Sequence, residues 1–322
     1  MLPKSRLFAV LLLGVGVALV TAAILAGWFM HSDSRMQLSP ARSTMTLVDN
    51  DATVYDPVAG TSDKHQQVVM QRHVTITDPV SPTSAAVRIG YAWLKGNGDP
   101  AGLLDASIWS YHINRISGMQ ESDTVIASVP GFPPSQHDFQ ALSIHFPSNP
   151  DTDTLPVLDP FLRAAFPANR TATVEQGGRT IDTWHQVIRD EIVAEHYAAT
   201  GNTLTLPAGP ALKHYSAVRD LQVDRQSGII IAETVHITEK YVPVDGGDPV
   251  TGLDFRATTP TAERSEMANR AALVPTGQGF SATRILLGAG GCVLIIVGGI
   301  GVFGAFGRLP EAGRKKTGTR KK

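Results

Sequence analysis

The chain has 322 residues, a formal net charge of −1, 43% hydrophobic residues and one cysteine. That near-neutral total hides a split: between two terminal apolar runs stand nineteen Lys and Arg against twenty-eight Asp and Glu, a net charge of −9. Nucleic acid is thereby excluded as the partner of the middle region, because phosphate recognition needs a basic face.

Residues 1–6 carry Lys4 and Arg6 and precede an apolar run over 7–29. This run is long enough to span a hydrocarbon core of ~30 Å as a helix rising ~1.5 Å per residue. Cations before it, and His31, Ser32 and Asp33 after it, predict a cytoplasmic N-terminus and an outward exit. A cleaved signal peptide, cut near Thr21 and Ala23, is the competing reading. It would leave Ile24, Leu25, Trp28, Phe29 and Met30 at a new N-terminus, and the run exceeds a signal core of ~7–15 residues. Gly14, Ala18, Ala22 and Ala26 recur every fourth residue, a small-residue face that predicts close pairing with another helix.

Residues 30–284 form the expected extracytoplasmic domain. With the single cysteine, Cys292, inside the second apolar run, no disulfide holds this domain and it must stand on its own core. Short runs at 53–55, 68–77, 86–94, 124–129, 139–146 and 180–188 are rich in Val, Ile, Thr and aromatics and are broken by Gly, Pro, Asp and Asn, which predicts strands. Asp151-Thr152-Asp153 reads as a turn between Pro150 and Pro156 rather than a metal-holding acid pair. Asp159 at a cap position, Pro160 after it and Pro167 as a stop predict a short helix over 159–166. Residues 221–241 alternate as a hairpin would, turning at Gly228. A second helix is expected from Thr259-Pro260 through Ala271, capped by the threonine hydroxyl, as a stalk or lid at the membrane.

The second apolar run covers 285–306, with Gly291, Gly298 and Ala305 spaced by seven. The tail, 307–322, holds seven cations against Glu311 and predicts a cytoplasmic C-terminus. Neither run contains an Asp, Glu, His, Lys or Arg, so both read as anchors and not as transport paths. The fold class expected is mainly β (α+β), an extracytoplasmic antiparallel sheet or barrel-like domain flanked by two transmembrane helices in the plasma membrane.

The chemistry on display is thin. All ten histidines fall in the middle region, but none is paired at i, i+4 beside a Glu; His185, Glu195 and His196 come closest to a metal pattern. No Gly-x-Ser-x-Gly elbow, phosphate loop or dinucleotide fingerprint occurs. No catalytic residue, metal or cofactor is assigned.

Three sets of residues carry a family likeness. They are Phe146-Pro147 with Leu158-Asp159-Pro160-Phe161-Leu162-Arg163-Ala164, the pair Tyr55-Asp56-Pro57 and Gln71-Arg72-His73-Val74-Thr75, and Val223-Asp224-Arg225-Gln226-Ser227-Gly228. Together with one span at each end, they resemble the actinobacterial PorA-family envelope membrane proteins, a domain of unknown function. The likeness covers most of the chain. It departs at Phe146-Pro147-Ser148 and Leu155-Pro156, where family members tend to have Phe-Pro-Phe followed by Tyr-Pro. The resemblance implies a part in building the outer envelope of mycolic-acid bacteria, where a relative is needed for lipomannan maturation and lipoarabinomannan synthesis. The function expected is a non-enzymatic accessory that binds or hands on membrane lipid or lipoglycan in an apolar groove, beside membrane glycosyltransferases. The alternatives are a PorA-type porin or channel subunit, and an extracytoplasmic glycan-processing enzyme with two convergent carboxylates. The likeness concentrates at Phe146, Pro147, Asp159, Pro160, Asp224, Arg225 and Gly228, for which the expected roles are structural: a cap, a turn and a hairpin.

Overall fold

In a computed structural model the described residues are 4–29, 35–39, 42–98, 100–128, 133–274 and 277–302. The basic tail over 307–322, residues 303–306 and Val129 lie outside them. Four helices occur among the described residues: α1 (Lys4–Phe29), α2 (Val193–His196), α3 (Thr261–Ala272) and α4 (Gly277–Val302). The chain divides into two units, one holding α1 and α4 and the other the residues between them.

In the first unit, α1 and α4 each contain a 20-residue stretch, Leu7–Ala26 and Thr283–Val302, long and apolar enough to cross a membrane. The two helices pack on one another where side chains are smallest. A Cβ added at Gly16 would lie 2.8 Å from the Gly291 carbonyl, and one added at Gly298 would lie 2.6 Å from the Leu13 nitrogen. Ala9 and Ala23 are buried on the same seam. Ala9, Gly16 and Ala23 on one helix, and Gly291 and Gly298 on the other, repeat every seven residues. Seven residues are close to two full turns, so such a row stays facing its partner. Of the expected row Gly14, Ala18, Ala22 and Ala26, the first three are exposed and Ala26 is half-buried, with nothing within 4 Å of a Cβ at Gly14. A strict four-residue step drifts around the helix by ~40° each time, which carries it off the contact.

The second unit is built on thirteen strands: β1 (Arg42–Asp56), β2 (Thr61–Val80), β3 (Ser84–Lys95), β4 (Leu103–Asn114), β5 (Thr124–Ala127), β6 (Ser135–His137), β7 (Thr154–Asp159), β8 (Ala164–Gln176), β9 (Arg179–Ile192), β10 (Thr203–Leu206), β11 (Gly209–Asp224), β12 (Ile230–Pro243) and β13 (Val250–Thr258). They form one antiparallel sheet in the order β6-β5-β4-β3-β2-β1-β13-β12-β11-β9-β8-β7, with β10 added to β11. The sheet is open, since β6 and β7 are its two ends. Period-two alternation sets its inner face: on β11, Tyr215, Ala217, Leu221 and Val223 are buried while His214, Ser216, Asp220 and Gln222 are not. Side chains from both wings meet in one core, with Leu47, Met70 and Trp93 from β1–β3 packed with Tyr215, Ile237 and Phe255 from β11–β13. Leu162, fully buried in the same cluster, comes from the turn between β7 and β8.

That turn corrects the helix expected over 159–166. Asp159 does accept two backbone hydrogens as a cap would, from Phe161 at 2.9 Å and Leu162 at 2.8 Å. Arg163 then takes a left-handed φ of +54° and Ala164 pairs back on Asp159, so the segment closes a hairpin. The strand expected over 139–146 is also absent. The segment makes only isolated bridges, at Leu142 to Met119 and Val157 and at His145 to Ile229. It lies between elements, with Ala141, Leu142, Ser143, His145 and Phe146 all buried, and so has no solvent face on which to alternate. The α3 helix forms as expected, but without Thr259 as its cap: that hydroxyl donates to the Glu233 carbonyl and accepts the Glu233 N–H, while Pro260 sits at the cap position. The helix packs on the sheet through Met267 and Ala271, in a cluster with Ile181 and Ile231.

The β11–β12 turn shows how tightly the second unit is closed. Gly228 has φ +71°, its carbonyl accepts the Phe146 N–H at 2.9 Å, and a Cβ there would collide with the Phe146 carbonyl. Gly228→Ala is therefore expected to cost about 2–4 kcal/mol, because it adds both backbone strain and a clash with main chain that cannot swing away. Chemical denaturation followed by tryptophan fluorescence checks it; a loss under about 0.5 kcal/mol would contradict the packing described.

Candidate functional site

Two features of the second unit have the makings of a site: a buried charged cluster inside the curved sheet, and a split in the sheet itself. The cluster begins at Asp159, which is fully buried. Its Oδ2 accepts the Tyr215 hydroxyl at 2.9 Å and Arg219 Nη2 at 3.1 Å. Arg219 also donates from Nη1 to Gln186 Oε1 at 3.1 Å, and its Nε lies 3.0 Å from Glu233 Oε1. Beyond Glu233, Arg72 Nη1 stands 3.6 Å from Oε2, too far for a hydrogen bond. Burial disfavours charge on Arg219, but Asp159 and Glu233 outweigh it and hold its pKa above the ordinary value. Burial and then Asp159 push Tyr215 well above its usual range. Two arginines and two acids cancel, which is the condition for keeping four charges in a low dielectric.

A small cavity of about 50 Å³ adjoins this cluster, walled by Tyr91, Trp93, Phe161 and Tyr197 and by Asp105, Arg163, Arg219 and Glu233. Arg163 lies over the Tyr197 ring at 3.9 Å, and burial raises the Asp105 carboxyl. Such a volume holds ordered water, and no more than the end of a ligand.

The split lies between β1 and β13. They pair only at Thr53 with Asp254 and Val54 with Leu253, after which β1 stays with β2 and β13 with β12. Side chains take over the freed backbone donors: Glu263 of α3 accepts the Thr46 N–H at 3.0 Å, and Asp49 accepts the Arg256 N–H at 2.6 Å. Beside the split, a pocket of about 140 Å³ lies between the first residues of β1 with β2 on one side and the start of β12, Thr259 and α3 on the other. Its apolar wall includes Met36, Met45, Val74, Ile76, Ile231 and Met267, and Arg72 and His145 contribute polar groups. An apolar protein cavity of about this size accepts benzene, so the pocket can seat part of an acyl chain. Arg72 lines both this pocket and the smaller cavity. His145 is 2% exposed, its Nε2 has no hydrogen-bond partner among the described residues, and burial lowers its pKa to about 4.

The residues singled out from the sequence fall in three places. Phe146 packs on Trp184 with ring centroids 5.6 Å apart and bonds to Gly228, so the 146 and 228 segments meet; Pro147 is half-buried beside it. Asp224 is fully buried, accepts the Ser227 N–H at 2.7 Å and takes Arg179 in a bidentate pair at 2.8 and 2.6 Å. Arg225 grips Asp182 in the same way at 2.7 and 2.6 Å. Asp159 and Pro160 form the separate turn described above. His185 bonds to Asp220 at 2.7 Å and His196 to Glu191 at 3.1 Å, and they do not converge. No group of three metal-ligating side chains occurs among the described residues. Sequence reasoning passed over Arg219 and Glu233. Their signal was present: each is a charged residue in phase with the buried alternate positions of its strand. Arg72 stood in a stretch that carried the family likeness without a role of its own.

A family model described as Porin PorA matches residues 8–300. No curated protein matches the chain. One solved structure, from work on dehydratase substrate selection in the borrelidin and fluvirucin polyketide synthases, aligns over 76% of this chain and 78% of that chain at 14% identity, with a TM-score of 0.09. A likeness that faint carries no argument.

The buried imidazole gives a prediction about pH. Its folded pKa of about 4 lies below the unfolded value of 6.5, so the unfolded chain binds the extra proton between those limits. His145 therefore contributes no penalty above pH 6.5 and destabilises progressively as pH falls towards 4, by roughly 3 kcal/mol at most. Urea titrations from pH 7 to 4 are expected to show a shallower loss for His145→Gln than for the wild-type protein. Parallel curves would contradict the burial of a neutral ring.

Proposed function

The chain belongs to the PorA family, and on that premise we propose that it is a membrane-anchored cell-envelope protein that binds and hands on envelope lipid or lipoglycan without catalysing a reaction. In this reading α1 and α4 cross the plasma membrane, both termini are cytoplasmic, and the sheet lies outside. The ligands are of the lipomannan and lipoarabinomannan type found in actinobacterial envelopes, and membrane glycosyltransferases are the partners.

The observation that carries the proposal is the apolar pocket beside the split, between β1–β2 and α3 with the start of β12. An antiparallel sheet ordinarily closes such a gap with its own ladder, which here would be continued by main-chain bonds in place of Glu263 and Asp49. The gap is instead lined with Met, Ile and Val. One wall is made by residues 36–39, the first part of the unit after α1, and another by α3, the last element before α4. The chain segments leading to both apolar helices thus border the same apolar pocket.

The family's description also supports a second reading, a porin or channel subunit. Strands that cross a membrane need an apolar outward face. Here Arg88 on β3, Asp220 on β11, His236 on β12 and Arg256 on β13 all lie on the face opposite the core. A channel would therefore have to come from the helices of several copies.

Two measurements separate the readings. Full-length protein purified in nanodiscs and analysed by native mass spectrometry is expected to retain lipid. Met267→Trp, which fills the pocket from α3, is expected to reduce that retention about tenfold while the protein still unfolds in one cooperative transition, at a melting temperature lowered by a few degrees. In planar bilayers the pure protein is expected to be silent. Stepwise conductance with no retained lipid would overturn the proposal in favour of the channel.

A further inference from the structure

The polar groups at the pocket do not match one another, and the mismatch says what its occupant brings. Arg72 is a guanidinium with a nearly buried side chain, 13% exposed, and its contacts are poor. Among the described residues its Nη2 reaches only the Met45 sulfur, at 3.7 Å, and its Nη1 stands 3.6 Å from Glu233 Oε2. A guanidinium has five N–H donors in a planar fork, and burial without acceptors is costly. His145, deeper and 2% exposed, leaves Nε2 without a partner in the same lining. Of the other polar groups in the lining, Thr259 exchanges hydrogen bonds with both main-chain groups of Glu233 and Glu263 accepts the Thr46 N–H; among the described residues the ion pair of Arg72 is with Glu233.

The charged residues lining the pocket are Arg72, Arg270 and Glu263. Arg270 is paired with Glu266 on its own helix and Glu263 accepts the Thr46 N–H, which leaves Arg72 as the lining charge with no oxygen at hydrogen-bond distance among the described residues. Glu233 lies on the far side of Arg72, where it lines the smaller cavity and not this one. An occupant that reaches Arg72 therefore meets the guanidinium before Glu233. A carboxylate or phosphate offers two or more oxygens in the geometry that fits an arginine fork. The remaining wall, with Met45, Val74, Ile76 and Met267, offers nothing to a polar ligand and suits a hydrocarbon chain.

We infer that the pocket takes a single-chain amphiphile with an anionic head, its oxygens held by Arg72 with His145 beside them and its chain lying against Met45, Val74, Ile76 and Met267. This rests on the lipid-binding proposal above and adds the head group. It also orients the ligand: the head goes inward to Arg72, and the chain runs out between β1 and α3. The smaller cavity behind Arg72 is then cut off from the bound chain by the guanidinium itself.

The test uses full-length protein in phosphatidylcholine nanodiscs loaded with dansyl-undecanoate, with empty nanodiscs as the background. Decanoate and decyl phosphate are expected to bind about tenfold more tightly than decanol, as inhibition constants corrected for the affinity of each protein for the probe, a difference that Arg72→Gln abolishes while it also weakens the probe itself. Inorganic phosphate alone is expected to displace nothing. Equal displacement by decanol and decanoate would overturn the anionic-head inference and leave lipid binding standing. Displacement by inorganic phosphate as strong as by decyl phosphate would overturn it in favour of a free-anion site. If the probe never binds above background, both this inference and the lipid-binding proposal fall. Should Arg72→Gln not fold, the order of decanoate over decanol in the wild-type protein decides alone.

Discussion

The buried pairing of Asp159 with Arg219 is the interaction on which the rest of the second unit depends. A twelve-strand path with open ends has no hydrogen-bonded closure to hold its curvature. What holds it is the β7–β8 turn set into the concave face, and the turn is fixed there by one carboxylate with four bonds: two to its own backbone, one to Tyr215 and one to Arg219. Removing either partner of a buried pair leaves the other charge uncompensated, at a cost of about 3–5 kcal/mol. The same arginine extends through Glu233 towards Arg72. Fold stability and the floor of the pocket are therefore built from one chain of charges.

The split between β1 and β13 follows from that curvature. A sheet wrapped around an inserted turn opens where its two wings diverge, and here they diverge beyond Thr53. The gap is bridged by carboxylates, from Glu263 and Asp49, and is covered by α3. Such a bridge is weaker and more easily exchanged than a strand ladder. A pocket closed by a short amphipathic helix, with Met267 and Ala271 as its contacts, can release a chain without the sheet coming apart.

Much of the fold was legible in the sequence because period-two alternation is local. The strands around 68–77, 86–94 and 180–188 and the hairpin turning at Gly228 all stand where the pattern put them. The Asp159-Pro160 pair was misread because an aspartate that accepts the next two or three N–H groups looks the same at the start of a helix and of a tight turn; only Arg163, at φ +54°, decides between them. The 139–146 segment was misread because its apolar content reflects burial on all sides and not membership of a ladder. The helix seam was half legible, with Gly291 and Gly298 at the contact and the four-residue row of α1 off it. The pocket was not legible at all. It depends on where β1 parts from β13, a register between residues about two hundred positions apart, and on Arg72 standing 3.6 Å from its acid, Glu233, an arrangement that no local pattern announces.

The central claim is that an acyl chain lies in the pocket beside α3. Photo-crosslinking in cells measures this directly, with benzoylphenylalanine placed at Met267 inside the pocket or at Thr238 on the outer side of β12. The account predicts lipid adducts from Met267 at several times the yield from Thr238. Equal yields at the two positions, or no lipid adduct from Met267, would contradict it.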